Sequence, residues 1–391
     1  MRLALGCSTA ALLAVSGVSY AQPGSIPAPR IDFKAGHQSV PFVLFRGNRI
    51  IVQGSLNGHP TRVMLDSGTS VTTLDRSYAR SIGLPPGIKV EARGAGGVVE
   101  AETVANVTLE LGGVRFEKMT VAVMDLEAVA RDIGRPIDVI VGRELFNSAV
   151  ITIDWAASGL TLSSPQAFRP PQGAMMVELG KAGPFNTIPV SVGGGEQLIA
   201  LLDIGNGGNL ILPANYWKQR PDIAHLPFAD SQAGGVGGAH AVRSVTLPIV
   251  TFGGQSLTRV PATLSERAND GHATSMPNVG IGLLRPFRVS LDLGRSRLYL
   301  TPVGQPSFPR DRAGVRSELH GSRLKIAFVS PGSPAASAGL KAGDEIVAVN
   351  GRPVDPDFYA SQDWALGPAG RQILLKRGDG STATLILADY F

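Results

Sequence analysis

The sequence predicts a mainly β protein built from two tandem copies of one β-rich lobe, followed by a smaller β-rich module of a different kind. Three observations carry this reading. The 391 residues include 48 Gly and 28 Pro but few aromatics, a balance that favours many short strands and turns over long helices. Landmarks of different chemistry recur at a nearly constant spacing. Asn57 and Gly194 are 137 residues apart, as are Asp66 and Asp203; Gly112 and Gly253 are 141 apart, Gly142 and Gly282 140, and Asp154 and Asp292 138. Chance likeness between β-rich segments does not hold such a register, so the chain reads as a duplication. Finally, proline-rich joints at 163–174 and 304–310 divide the chain where one copy ends and the next segment begins.

Taken in order, residues 1–21 read as a secretory signal. Arg2 supplies the charge, Leu3 to Val18 the apolar region, and Ser19-Tyr20-Ala21 the small-residue cleavage site, with cleavage expected after Ala21. A periplasmic or secreted location follows. The one cysteine, Cys7, lies inside this segment, so the mature chain is expected to hold neither a disulfide nor a thiol nucleophile. No later apolar run is long enough to span a bilayer. Residues 22–37 read as a linker or ordered tail.

The first lobe is assigned to 38–165. Arg49 to Leu56 is strand-like and meets Asn57-Gly58, a hairpin-turn signal. The return strand carries Val63-Met64-Leu65 into Asp66-Ser67-Gly68-Thr69-Ser70. A short helix is expected from Asp75 to Leu84, with Asp75 as N-cap and Gly83 as its stop. Gly94-Ala95-Gly96-Gly97 is a glycine-rich tip between strands, and it completes no phosphate-loop pattern. Val139-Ile140-Val141-Gly142 is an apolar run ending in glycine, and a hairpin from Val150 to Leu162 closes the lobe.

The second lobe, 175–303, repeats this programme. Ile188 to Val192 turns at Gly193-Gly194-Gly195, and Leu198 to Leu202 returns to Asp203-Ile204-Gly205-Asn206. A second glycine-rich tip, Gly234-Gly235-Val236-Gly237-Gly238, and a second apolar-glycine run, Val279-Gly280-Ile281-Gly282, follow. The last module, 314–391, opens with a strand over Leu324-Lys325-Ile326-Ala327-Phe328. It continues through Ser330 to Leu340 as a turn and short helix, and ends its recognisable pattern at Asn350-Gly351.

Asp66 and Asp203 each stand at the end of an apolar strand, on an Asp-x-Gly turn. If the lobes pack about a two-fold axis the carboxyls approach each other, and two close carboxyls hold one proton between them. The ionised member can take a proton from water while the protonated one donates to a substrate carbonyl, as in the aspartic proteases, the standard example of such a dyad. The glycines allow the close approach of two backbones, and hydroxyls at Ser67 and Thr69 can tie the turns. An isolated Asp-Ser-Gly is more often a turn that caps its own amides, so the weight rests on the repeat.

With these residues assembled, Asp66-Ser67-Gly68-Thr69-Ser70 and the run into Gly142 resemble the retropepsin-like aspartic proteases, and the duplication resembles their two-lobed relatives. The resemblance implies two acid-protease β-barrel lobes in pseudo-two-fold arrangement, with catalytic Asp66 and Asp203. Ser67, Gly68, Thr69, Ile204, Gly205 and Asn206 would support the turns. Residues 94–97 (Gly94, Ala95, Gly96, Gly97) and 234–238 (Gly234, Gly235, Val236, Gly237, Gly238) would be flaps over the substrate. Gly332-Ser333-Pro334-Ala335, Ala338-Gly339-Leu340, Gly343-Asp344 and Asn350-Gly351 resemble a PDZ domain, which implies peptide binding along Leu324, Lys325, Ile326, Ala327 and Phe328. The chain departs from these patterns at two places. Ile204 stands where the family has Thr or Ser, and His320-Gly321-Ser322-Arg323 stands where a Gly-Leu-Gly-Phe-like loop would precede the binding strand.

Other chemistries have little support. The six histidines show no metal-ligand spacing, no Gly-x-Ser-x-Gly elbow occurs, and the modest net charge of +5 is spread without a basic run, so neither a metal, a cofactor nor a nucleic-acid partner is expected. Three functions are compatible with the sequence. They are an exported endopeptidase acting as a monomer on peptides or unfolded proteins, with the PDZ module binding peptide or gating the cleft; an inactive, protease-derived peptide-binding protein; and a PDZ-centred scaffold.

Overall fold

A computed structural model of the chain describes residues 14–16, 28–33, 39–94, 97–236, 239–267, 275–304, 306–361 and 364–391. Apart from the backbone of 14–16, the signal segment 1–21 and its cleavage site lie outside the described residues, as do Ala95, Gly96, Gly237 and Gly238 of the two tips. The architecture is mainly β. The stretch 22–37 is more than a linker: Arg30–Phe33 forms a strand that pairs with Val114 to Glu117 of the first lobe.

In the first lobe, β1 (Arg49–Leu56) and β2 (His59–Leu65) form the expected hairpin at Asn57-Gly58, where both turn residues have positive φ. Next come β3 (Thr73–Asp75), the long hairpin of β4 (Ile88–Gly94) and β5 (Gly97–Leu111), helix α1 (Glu127–Ile133), β6 (Val139–Val141) and β7 (Val150–Asp154). The short helix after β3 is Arg76–Ser81. Asp75 caps it by accepting from the Tyr78 amide, and Gly83 follows with φ +72°.

The second lobe repeats the order with β8 (Gln197–Leu202), β9 (Leu210–Leu212), the hairpin of β10 (Phe228–Ala233) and β11 (His240–Phe252), β12 (Asn278–Val279) and β13 (Phe287–Asp292). Ladders fix which residues of the two lobes correspond. β6 lies between β2, to which it is parallel, and β3, to which it is antiparallel; β12 lies in the same way between β8 and β9. Val141 and Val279 accept the amides of Asp66 and Asp203, at 3.1 and 2.9 Å, so Gly142 corresponds to Gly280. The sequence pairing of Gly142 with Gly282 is therefore two residues out of register. Both Gly142 and Gly280 stand at the N-terminus of a short helix.

The lobes join through β7 and β13, which pair antiparallel with Ile151 opposite Leu291, Thr152 opposite Ser290 and Ile153 opposite Val289. Thr152 and Ser290 are equivalent positions (290 − 152 = 138), and their hydroxyls meet at 2.9 Å. Equivalent residues face each other only across a local two-fold axis, so the axis passes between these two side chains. Around it lies the main core, in which Leu65, Val141, Ile151 and Phe146 pack in one cluster with Leu202, Val279, Val289 and Leu291.

The third module has its own sheet. β14 (Val315–His320) pairs with β15 (Arg323–Val329), which pairs in turn with β16 (Glu345–Val349); helix α2 (Pro356–Ser361) follows. Leu324 to Phe328 therefore belong to an interior strand. Leu324 and Lys325 have ladder partners on both sides, and Ile326 is bonded across to Asp344 and Gly343. At Leu324, Lys325 and Ile326 both sides of the strand are already taken. β14 is one edge of this sheet, Thr382–Ile386 being the other, and His320-Gly321-Ser322-Arg323 is the turn of the β14–β15 hairpin. The segment that precedes the edge strand is Asp311-Arg312-Ala313-Gly314, with the Ala313 and Gly314 amides folded onto the Asp311 carboxylate.

Candidate active site

Each apolar strand pair delivers an aspartate to the same place. Asp66 and Asp203 are both fully buried. Their proximity is visible at the two glycines: a Cβ on Gly68 would stand 2.8 Å from the Asp203 carboxyl oxygens, and one on Gly205 would stand 2.6 Å from Asp66 Oδ2. Each turn thus lies flat against the other lobe's carboxyl. No side chain larger than hydrogen fits there.

The carboxyls are held differently. Asp66 Oδ1 accepts from the Gly68 amide at 2.9 Å, and the carboxyl also interacts with the Thr69 hydroxyl; Oδ2 is buried with no N–H or O–H of the protein bonded to it. Asp203 Oδ1 accepts from the amides of Gly205 (2.9 Å) and Asn206 (3.2 Å), and Oδ2 accepts from Asn278 Nδ2 at 2.9 Å. Burial, and then the neighbouring Asp203 charge, hold Asp66 well above the usual carboxylate range. Burial also raises Asp203, but hydrogen bonds pull against it, that of Asn278 most strongly, followed by those of Asp66, Gly205 and Asn206.

Ser67 ties the lobes together. Its hydroxyl donates to the Leu202 carbonyl at 3.0 Å and accepts from the Ile204 amide at 3.1 Å. Ile204, buried at the equivalent position, has no hydroxyl to return the pair of bonds. Behind the first turn, Glu144 accepts from the amide and hydroxyl of Thr72, and Arg143 donates to the Ser70 carbonyl. Behind the second, Asn206 and Asn209 take over. Asn206 Oδ1 accepts from the Gly208 amide, and Asn209 Nδ2 reaches the Pro261 carbonyl.

Of the two tips that the sequence assigns to flaps, the described residues Gly94 and Val236 come together. A Cβ on Gly94 would lie 2.6 Å from Val236 Cβ, and Val236 packs into an apolar cluster with Met64, Val71, Ala92 and Ile140 of the first lobe. Gly97 pairs with Gly94 at the base of the first tip, while Gly234 lies beside Asp132. Two residues near the carboxyls were not singled out in the sequence. Arg49 is buried against Gly207 and its charge faces Asp66, Asp203 and Asp132. Asn278 occupies the position that is Ile140 in the first lobe, and this polar exception inside an apolar run was the one available signal. Among the described residues no three His, Cys, Asp or Glu side chains gather as metal ligands, and no helix is long and apolar enough to cross a membrane.

Residues 52–145 match the family described as aspartyl protease, and residues 325–376 match the PDZ domain family. The chain therefore carries an aspartyl-protease-like domain and a PDZ domain. The first match covers Asp66 and ends before the second lobe, so the likeness passes to Asp203 only through the internal repeat. Among curated proteins the chain is similar to the magnetosome formation protease MamE of Magnetospirillum gryphiswaldense, at 37% identity over 91 residues. That alignment takes in 22% of this chain and 11% of the relative, so the chain spans about a tenth of the length of the protein it matches.

Proposed function

We propose that the protein is an exported, single-chain aspartic-type endopeptidase, in which Asp66 and Asp203 activate water against a peptide bond and the PDZ module gates the cleft. The approach of two buried carboxyls on equivalent turns carries the reading. In the reaction, the ionised aspartate takes a proton from water as its oxygen adds to the carbonyl carbon. The protonated one gives its proton to the carbonyl oxygen. Collapse of the resulting gem-diol returns one proton to the leaving nitrogen and the other to the pair, restoring it. The charged and apolar pattern of residues 1–21 supports export.

Gating is supported by the contacts of the PDZ module. Arg316, on β14, pairs with Asp132 of α1 at 2.9 Å and donates to Gln232 of β10 at 3.1 Å, so one side chain bridges the first lobe and the flap strand of the second. Tyr359 of α2 donates to the Ser317 carbonyl at 2.7 Å and receives a bond from Arg46 at 3.0 Å; burial pushes its hydroxyl up to about 12, which keeps it a donor. Ser330 donates to the Asp230 carbonyl, and Ala360 joins the apolar cluster that holds Val236. A second reading, a peptide-binding protein that no longer cleaves, is favoured by Ile204. Incubation with a denatured protein substrate from about pH 3 to 7 separates the two. The endopeptidase cleaves, and Asp66→Asn and Asp203→Asn each lower the rate roughly a thousandfold. A parent protein silent across the range supports the second reading, and cleavage that survives Asp203→Asn rules out the intrachain pair.

A further inference from the structure

The second turn lacks a hydroxyl but has gained a relay that the first turn does not have. It begins at a group whose polarity is certain, since the Gly208 backbone N–H can only donate. It donates to Asn206 Oδ1 at 2.8 Å, which leaves Asn206 Nδ2 as the other end of that amide. Nδ2 donates to Asn278 Oδ1 at 2.8 Å, and this in turn directs Asn278 Nδ2 towards Asp203, 2.9 Å from Oδ2. Every amide orientation in the chain is fixed by the one before it. With Oδ1 receiving the Gly205 and Asn206 amides, both oxygens of Asp203 face donors, and three N–H groups favour its ionised form.

At the corresponding places the first lobe has Thr69 for Asn206 and Ile140 for Asn278, and Asp66 Oδ2 has no donor. We propose that Asn278, oriented by Asn206, is a positioning residue that holds Asp203 as the ionised member of the pair and leaves the proton on Asp66. Charged groups on neighbouring elements do not reverse this order. Asp66 itself faces Asp203 across the axis, and Arg49, reaching over from the start of β1, faces both aspartates and favours ionisation of each. For catalysis the assignment makes Asp203 the base that takes the proton from water and Asp66 the acid that protonates the carbonyl oxygen. These two roles rest on the endopeptidase reading; the protonation order does not.

The test is a carboxyl titration of the full chain carrying 13C at aspartate Cγ, with the two resonances assigned by their loss in Asp66→Asn and Asp203→Asn. Asp203 is expected to titrate first and Asp66 at higher pH. Asn278→Leu, a near-isosteric change, removes a charge-assisted hydrogen bond and is expected to raise the Asp203 step by roughly one to two pH units. Asn206→Ala frees the Asn278 amide to turn and is expected to raise it by about half a unit; should Asn278→Leu prevent folding, Asn206→Ala carries the test alone. The acid limb of kcat/KM moves with the titration, so cleavage at its lower edge falls by roughly 10- to 100-fold in Asn278→Leu. An Asp203 step that stays in place in a folded variant, or a parent in which Asp66 titrates first, overturns the proposal. Absence of cleavage in the parent, with the titration order and its shift intact, overturns the endopeptidase reading and leaves the positioning role standing.

Discussion

The two turns share a backbone and differ in what holds them. In the first, Ser67 reaches across to the other lobe, and Arg143, Glu144 and Thr72 brace the turn from behind with a charged side chain on each flank. In the second, Ile204 contributes only volume, and three asparagines do the bracing through neutral amides. The strand frame keeps the carboxyls in place in both, because Val141 and Val279 fix the aspartate amides in the same way. Side-chain support is therefore free to diverge between the halves of one chain. In an assembly of two identical chains the same divergence is impossible, since any substitution appears on both sides of the axis.

The contrast is tested most severely by adding one carbon at the point where each turn meets the opposite carboxyl. Gly205→Ala drives a methyl into Asp66 and Gly68→Ala drives one into Asp203. A displaced reacting group costs on the order of 100-fold in rate, and we expect at least that from either variant in a peptide-cleavage assay, with Gly205→Ala the worse because its approach is closer. Equal and mild effects would mean that the turns can separate without cost.

A smaller effect distinguishes the carboxyls by thermal unfolding against pH. Asp66 has its acidity depressed in the folded state, so between the unfolded value near 4 and the raised folded value the native chain holds a proton that the unfolded chain has released, and stability falls as pH rises. Each unit of that displacement corresponds to about 1.4 kcal/mol. Asp66→Asn removes the penalty and is expected to raise Tm at pH 7, with the gain vanishing below about pH 4. Burial raises Asp203 too, but less than Asp66. Asp203→Asn keeps an oxygen for the Gly205 and Asn206 amides while setting its NH2 against the Asn278 Nδ2 donor, so it is expected to raise Tm at pH 7 by less than Asp66→Asn does. A gain in Asp203→Asn equal to or larger than that in Asp66→Asn would refute the asymmetry.

The mildest test concerns the hydroxyl grip. Ser67→Ala loses both bonds to the second lobe and leaves the Ile204 amide unsatisfied, a cost of about 1–3 kcal/mol. Ile204→Thr supplies the missing hydroxyl but replaces a buried ethyl group, so a gain of about 0.5–1 kcal/mol is set against a cavity cost of similar size and the denaturant midpoint is expected to move little. A large loss of stability there would show that the second lobe has repacked around the ethyl group.

Much of this site was legible because repetition turns weak local signals into pairs. Asp-Ser-Gly means little alone, but a second Asp-x-Gly at the same spacing, with apolar strands before both, located the two carboxyls, and glycine-rich tips located Gly94 and Val236. What stayed hidden depends on strand register or on distance. Gly282 looked like the partner of Gly142 because both close an apolar run, and only the ladder beside β12 assigns that place to Gly280. Arg49 and Asp203 are far apart in sequence, and nothing in an arginine at a strand start announces a buried charge near a carboxyl. Leu324 to Phe328 read as the peptide-binding strand from their alternation, whereas edge or interior position is a property of the sheet, not of the strand.

Arg316 and Tyr359 have a consequence for how tightly the PDZ module holds any ligand. A peptide joining the open edge of β14 competes with groups of the same molecule that stand there at a fixed, very high local concentration. If about one molecule in a hundred is undocked at a given moment, the peptide binds about 100-fold more weakly than it would to the module alone. The linkage is reciprocal: whatever parts the lobes, a substrate in the cleft included, strengthens the peptide by the same factor by which the peptide favours parting. Affinity measured on an isolated PDZ fragment would then overstate that of the intact chain.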